Sequence, residues 1–386
     1  MTAFDFRLPT RLVHGAGKLE ELGALSASLA APSRALVVSD KGVQAAGHTR
    51  RGCDALARAG WETCVFDGFG ENPDTGHVDA GVAVARDCRP DVIVGLGGGS
   101  SMDCAKGINF LYSCGGAVRD YWGVGKATGP LLPMIAVPTT AGTGSEAQSF
   151  ALISDAVTHV KMACGDKRAA FRVALLDPEL TLTQPPRVTA LTGLDALAHA
   201  VETAVTRVRT PLSLLFSREA WRLLAPNFAR VLERPDDLAA RAAMQWGACL
   251  AGLAIENSML GAAHALANPL TAQFGVTHGE AVALMLPAVV RENARATDAD
   301  YRHLLAALVD GGKRCPQAGD GPEELALFLE QAVRSAGLAS TLTEKGVPRD
   351  ALDALADDAA RQWTGGFNPI PLATEDFRRL YAQVHA

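Results

Sequence analysis

The sequence has no run of positive charge, no CxxC pair and no uninterrupted apolar stretch of membrane-spanning length. Its 36 Lys and Arg against 42 Asp and Glu give a formal net charge of −6. No overall basic field is therefore available to hold nucleic acid or an anionic membrane. A transmembrane helix needs roughly 20 predominantly apolar residues. The segment from Asn257 to Gly279 lacks Asp, Glu, Lys and Arg, but it contains Asn, His, Gln and Pro269. A buried helix pair fits it better than a membrane span. The start, "MTAFDFRLPTRLVHGAG", has no cationic stretch leading into an apolar core, so no secretory signal is expected. The cysteines at 53, 64, 88, 104, 114, 164, 249 and 315 make no tight framework. Several lie in apolar surroundings, where a free thiol behaves as a small hydrophobe. Reduced thiols and a cytoplasmic location are the expectation.

What is present describes an ordinary globular protein, with 48% hydrophobic and 20% charged residues. A length of 386 residues is too great for one small core, and two domains are expected. The first half alternates β-rich runs with helical patterns. "RALVVSD", "TCVFDGF", "DVIVGLGGGS", "MIAVPTT", "FALIS" and "FRVALLDPEL" read as strands. "VDAGVAVARDC" and "SMDCAKGINFLYSC" have apolar positions three and four apart and read as helices. Apolar strands alternating with helices predict a parallel sheet covered on both faces. From about residue 186 no convincing strand remains, and Ala- and Leu-rich helical stretches take over. The Pro185-Pro186 pair is a natural hinge. The expectation is an α/β domain over residues 1–185 and an all-helical domain over 186–386.

Two strand ends carry glycine-rich turns. "GLGGGSSMDCAK" runs from a strand into a helix, and its glycines would let a backbone approach a pyrophosphate at the helix N-terminus. Ser100 or Ser101 can cap that helix or donate to a phosphate oxygen. A plain tight turn is the rival reading, because Ser100 occupies the third glycine position of a GxGxxG fingerprint. "PTTAGTGSE", Pro138 to Glu146, also follows a strand, and two such turns would flank one crevice. Asp40, at another strand end, suits either a ribose diol or the N-cap of the helix at "KGVQAAG".

"GLDALAHAVE" spaces Asp195 and His199 four apart, on one helix face and about 6 Å apart at Cβ. Such a pair is a surface interaction or half of a metal site. His264 and His278 are the only ionisable groups in "GAAHALANPLTAQFGVTHG". On one continuous helix they would be roughly 21 Å apart, so the chain must turn for them to meet, and Pro269 and Gly275 offer places. One carboxylate and three imidazoles make a set for Zn²⁺ or Fe²⁺.

Taken in order, "GGGSSMDCAK", "PTTAGTGSE", "LDPEL", "TGLDALAHAVE" and "HALANPLTAQFGVTHG" resemble the iron-containing (group III) metal-dependent alcohol dehydrogenases. The likeness extends over nearly the whole chain. It implies a Rossmann-like dinucleotide-binding domain, an all-α metal-binding domain of dehydroquinate synthase-like architecture, and a catalytic cleft between them. It further implies a divalent metal, commonly iron and in some members zinc, held by Asp195, His199, His264 and His278. NAD would lie on Gly97, Gly98, Gly99 and Ser100, with Asn72, Thr139, Thr140, Thr143, Lys161 and Leu180 around it and Asp40 favouring NAD over NADP. Members commonly carry a second histidine where this chain has Asn268, and an amide has no proton to exchange near neutral pH. Asn268 is placed in the catalytic region but outside the metal's ligands. Ile255 and Glu256 of "IENSMLG" also depart from the usual pattern at the substrate wall.

The expected activity is NAD(H)-linked interconversion of a small primary alcohol and its aldehyde, by a homodimer or higher homo-oligomer with no nucleic-acid or membrane partner. The alternatives are a dehydroquinate synthase-like lyase or cyclase and a glycerol dehydrogenase-like polyol oxidoreductase.

Overall fold

The computed structural model describes residues 4–307 and 321–385; Cys315 lies outside them. Two compact units emerge. One covers Arg7–Gln184, and the other runs from Pro185 onward and takes in the chain start as far as Phe6.

In the first unit the chain runs β1 (Arg11–His14), α1 (Leu22–Ala27), β2 (Arg34–Val38), α2 (Lys41–Ala45), α3 (His48–Arg58), β3 (Glu62–Phe66) and α4 (Thr75–Cys88). It continues through β4 (Val92–Gly97), α5 (Gly99–Cys114), β5 (Gly123–Val124), β6 (Met134–Pro138), β7 (Phe150–Ser154), β8 (Lys161–Gly165) and β9 (Val173–Leu176). A six-stranded parallel sheet has the order β1-β9-β6-β4-β2-β3. The inner strands explain the continuous apolar runs. β4, β6 and β9 are buried at every position and β2 at all but its first, as a sheet covered on both faces requires. Edge strands β1 and β3 keep exposed positions. Alternate side chains feed two cores. Leu36, Val38 and Ile93 pack with Val78, Val82 and Ile108 of α4 and α5. Ala35, Val37 and Val94 pack with Leu22, Leu25 and Leu56 of α1 and α3.

β3 lies on one side of β2 and β4 on the other. The direction of sheet growth thus reverses between β2 and β4, and such a switch point is where open α/β sheets bind ligands, beyond the strands' carboxyl ends. Asp40 follows β2 there, Gly97 ends β4, and Gly98–Ser100 follow it.

Two expectations need correction. "FALIS" does not join the parallel sheet: β7 pairs antiparallel with β8, and β8 pairs parallel with β5, in a separate three-stranded sheet. No helix intervenes between β7 and β8. Asp155 instead closes a turn by accepting the N–H groups of Val157 (3.0 Å) and Thr158 (2.8 Å). The reduced-thiol expectation fails at Cys64 and Cys88, which form a disulfide. α4 returns beside β3, so its last residue comes within a Cα–Cα distance of 6.2 Å of Cys64 despite a sequence separation of 24. Cys53, Cys104, Cys114 and Cys164 are free thiols.

The second unit comprises α6 (Pro186–Val205), α7 (Pro211–Glu233), α8 (Leu238–Glu256), α9 (Ala262–Phe274), α10 (His278–Ala306), α11 (Pro322–Ser335), α12 (Leu352–Ala360) and α13 (Thr374–His385). Among the described residues no strand follows Leu176. α6 is the central helix. It packs on α7, α8 and α10, and apart from Thr192 every residue from Thr189 to Val205 is buried, as expected of a helix apolar nearly all round. By length and composition α8 could cross a membrane, but its residues from Gly247 to Ile255 line the interior of this unit.

Closing a loop of this length by a disulfide is worth about 3 kcal/mol of stability. Reducing Cys64–Cys88 should lower the unfolding free energy by about that amount, in denaturant melts run with and without dithiothreitol. Identical melts would mean that the bond contributes nothing.

Candidate metal centre and nucleotide site

Asp195 and His199 project from α6, both buried. His264 lies in the first turn of α9, and His278 opens α10. The chain reverses at Gly275, whose φ of 65° ends α9. Pro269 does not turn the chain; it sits buried inside α9. Gly279 lets α10 come down onto α6, because a Cβ there would stand 2.3 Å from the Leu191 carbonyl oxygen. Leu191 is one turn before Asp195, so this close approach delivers His278 to the pair.

The four side chains converge. Asp195 Oδ1 is 3.3 Å from Nε2 of His199, 3.5 Å from Nε2 of His264 and 3.8 Å from Nε2 of His278. Ligand atoms about 2.1 Å from one ion, at the tetrahedral angle, stand about 3.4 Å apart. Asp195, His199 and His264 lie close enough to share an ion. Asp195 Oδ1 and His264 Nε2 are buried with no hydrogen-bond partner, a costly arrangement for a protein left to itself. The residues present fit a divalent cation. The His278 side chain, at 27% exposure, is the open side of the group, since those of Asp195, His199 and His264 are 6% exposed or less.

Electrostatics agree. Burial opposes a charge on Asp195, yet the imidazoles of His199, His264 and His278 hold its carboxyl well below the usual carboxylate range. Burial likewise opposes a charge on His264, but Glu202 and Asp195 raise its pKa to about 9. Glu202 is a functional residue that reading the sequence missed. Its Oε2 lies 2.5 Å from His264 Nδ1, and its Oε1 accepts the Ala263 N–H at 2.7 Å. An ionised carboxylate only accepts, so Nδ1 carries a proton toward Glu202; the raised pKa puts a second proton on Nε2 toward Asp195, and a metal ion would take that proton's place. The signal was present in "GLDALAHAVE": Glu202 is three residues past His199 and seven past Asp195, on the same helix face.

In the α/β unit the two glycine turns pack on each other. A Cβ on Gly99 would stand 2.8 Å from Thr143 Cγ2, and one on Gly98 would stand 3.3 Å from Thr140 Cγ2. Gly98 caps α5 without a side chain, which leaves the helix N-terminus suited to an anion. Thr139 is buried and donates its N–H to Gly97 O at 2.9 Å. Asn72, at φ 54°, donates its N–H to Ser100 Oγ (3.1 Å) and accepts from Lys161 Nζ at 3.2 Å. The Asp40 carboxylate caps α2, with Oδ1 accepting from Gly42 and Val43. Its Oδ2 takes the Ser101 hydroxyl at 3.4 Å. The Leu180 side chain is wholly buried in the apolar core with Leu19, Leu22 and Leu56.

Comparison with known proteins decides the family. Residues 9–178 match the model of iron-containing alcohol dehydrogenases, and residues 189–385 match the C-terminal domain of the same family. This chain belongs to the iron-containing alcohol dehydrogenases. It is 30% identical to an NAD-dependent methanol dehydrogenase of Bacillus methanolicus, over 97% of this chain and 98% of that one. A crystal structure of 1,3-propanediol oxidoreductase superposes with a TM-score of 0.94 at 31% identity, covering 99% of this chain and 100% of the other. Sulfoacetaldehyde reductase from Bifidobacterium kashiwanohense, solved in complex with NAD+, gives 0.90 at 25% identity, with both chains fully covered.

In this iron-type dehydrogenase Asn268 donates from Nδ2 to Gln362 Oε1 at 3.0 Å, and Ile255 is buried at the end of α8. Carboxylates that hold a metal-binding histidine typically matter 10–100-fold for metal affinity. Glu202→Gln should weaken binding of Fe²⁺ or Zn²⁺ by about that factor in a chelator competition. An unchanged affinity would reduce Glu202 to a core acid.

Proposed function

We propose that this iron-type dehydrogenase interconverts a small primary alcohol and its aldehyde, with Asp195, His199, His264 and His278 holding the metal and the two glycine turns holding NAD(H). Iron is the first expectation and zinc the second. The observation that carries the reading is one carboxylate oxygen within 3.8 Å of three imidazole nitrogens, in a chain of this family. When bound, the ion supplies Lewis-acid stabilisation of a developing alkoxide, and NAD supplies the hydride acceptor.

The chain's own groups prepare for that chemistry. Glu202 keeps the His264 proton on Nδ1. The imidazoles keep Asp195 a carboxylate. The start of α5 lies at the switch point without a side-chain cap, and Lys161, placed by Asn72 beside Ser100, adds a cation where a pyrophosphate would lie. Asp40 retains a second carboxylate oxygen for a ribose hydroxyl. The lyase reading is not favoured. It needs Lys or Arg beside the metal for a phosphorylated, carboxylated substrate, whereas Arg187 and Lys345, the cations near His278, are engaged with the buried Glu280 at 3.0 and 3.1 Å. A homo-oligomer working in the cytoplasm belongs to the same proposal. The Cys64–Cys88 bond would there open or persist with the local redox poise.

Metal analysis should find about one divalent ion per chain, and His278→Ala should lose most of it. A panel of alcohols and aldehydes, assayed with NAD and NADP in parallel, should show NAD-linked turnover that disappears in the variant. Full metal and unchanged activity in His278→Ala would sink the assignment.

Asn268 carries no proton to exchange, so the proton leaves this enzyme without an imidazole at that place. Asn268→His should retain the metal yet change the pH profile of kcat near neutrality, where an imidazole titrates. A wild-type profile and rate would take residue 268 out of the proton path.

A further inference from the structure

Lys106 is wholly buried, a rare state for lysine. A buried ammonium without partners is costly. Among its partners are three acceptors for its N–H donors: Ser145 O at 2.8 Å, Ser145 Oγ at 2.9 Å and Phe150 O at 2.7 Å. The Phe171 ring lies 5.2 Å from Nζ. Ser145 passes the connection on, because its hydroxyl donates to Asp103 Oδ1 at 2.8 Å while that carboxylate stands 3.8 Å from Nζ.

Gly99, Asp103 and Lys106 are spaced i, i+4 and i+7 on α5 and form one stripe. The whole stripe faces the segment that carries the second glycine turn. Gly99 meets Thr143, Asp103 meets the Ser145 hydroxyl, and Lys106 meets both Ser145 and Phe150. The Ser145 N–H reaches back to Thr143 Oγ1 at 3.3 Å. The charged positions of "GGGSSMDCAK" therefore fasten "PTTAGTGSE" to the helix that starts at the first turn.

We propose that Lys106, acting through Ser145 and Asp103, is a positioning strut that fixes the spacing of the two glycine turns and so sets the affinity for NAD. The proposal rests on the reading of those turns as the nucleotide site. Lys106 touches neither substrate nor cofactor in this account. It is a lysine because only a charged head with three donors can gather two carbonyls and a hydroxyl at one point inside the unit.

The test compares metal-loaded wild type, Lys106→Met, Ser145→Ala and the double variant, with Leu56→Ala as a control that opens the core on the other face of the sheet. NAD+ titration by calorimetry gives Kd, and amide exchange of residues 139–146 without NAD+ reports the turn itself. Losing a charged, buried hydrogen-bonding group should raise the Lys106→Met Kd about tenfold or more. Exchange at 139–146 should quicken and metal content should stay unchanged. Ser145→Ala should move both readouts the same way by less, and the double variant should be no worse than Lys106→Met, since residues acting as one unit are not additive. Leu56→Ala should lower Tm and leave Kd alone. A folded Lys106→Met with wild-type Kd and exchange, or additive effects in the double variant, would overturn the strut. Should Lys106→Met fail to fold, Ser145→Ala decides by the same two readouts. A wild type that binds no NAD+ would defeat the nucleotide reading, while amide exchange would still judge the strut.

Discussion

A carboxylate sunk among three imidazoles sets the terms for the helical unit. α6 is buried along most of its length, so Asp195 has no water to solvate its charge, and burying an unpaired charge is prohibitive. The partners must come from other helices. This is why α9 and α10 both bring their first turns to α6, and why Gly279, which permits a backbone approach of van der Waals closeness, sits beside His278. Glu202 adds a second buried carboxylate. Once the imidazoles give up their protons to bind metal, the group carries two negative charges, and a divalent cation is the simplest species that balances them. The donor chemistry and the charge count thus point the same way.

The α/β unit solves a different problem by different means. Its site is made of backbone at strand ends, where glycines allow two turns to lie against each other and a helix N-terminus faces outward. Such turns have little stiffness of their own. The hydrogen bonds among Asn72, Ser100 and Lys161 brace one side, and the buried Lys106 contacts brace the other. Asp40 shows that one carboxylate can serve two ends: one oxygen caps α2, and the other retains lone pairs toward Ser101 and the region beyond β2.

How much of this could be read from the sequence depends on the distance over which the cause acts. The buried parallel strands were legible because burial on both faces writes itself into four to six consecutive residues. β7 carried a similar apolar run, but its antiparallel pairing is decided by the short turn at Asp155, which composition does not announce. The Asp195–His199 pair was legible from helical spacing. Glu202 lay in the same string yet had no visible purpose until α9 placed His264 against it. The disulfide was hidden because Cys64 and Cys88 meet only after β3 and α4 have folded back on each other. Pro269 misled in the other direction. A proline suggests a turn, but inside α9 it sacrifices one backbone bond while its burial keeps it packed, and the reversal falls to Gly275.

Asn268 shows how closely two roles can stand on one helix and still be separate. It is four residues past His264, on the same face of the helix. Its N–H nonetheless belongs to Gln362, which ties α9 to the segment after α12. The metal set depends on Asp195 and Glu202, neither of which needs residue 268. A histidine there could also donate one ring N–H to the Gln362 carbonyl and keep the other nitrogen free to titrate. The tie between α9 and Gln362 is thus compatible with either side chain, and the difference between them is confined to the proton.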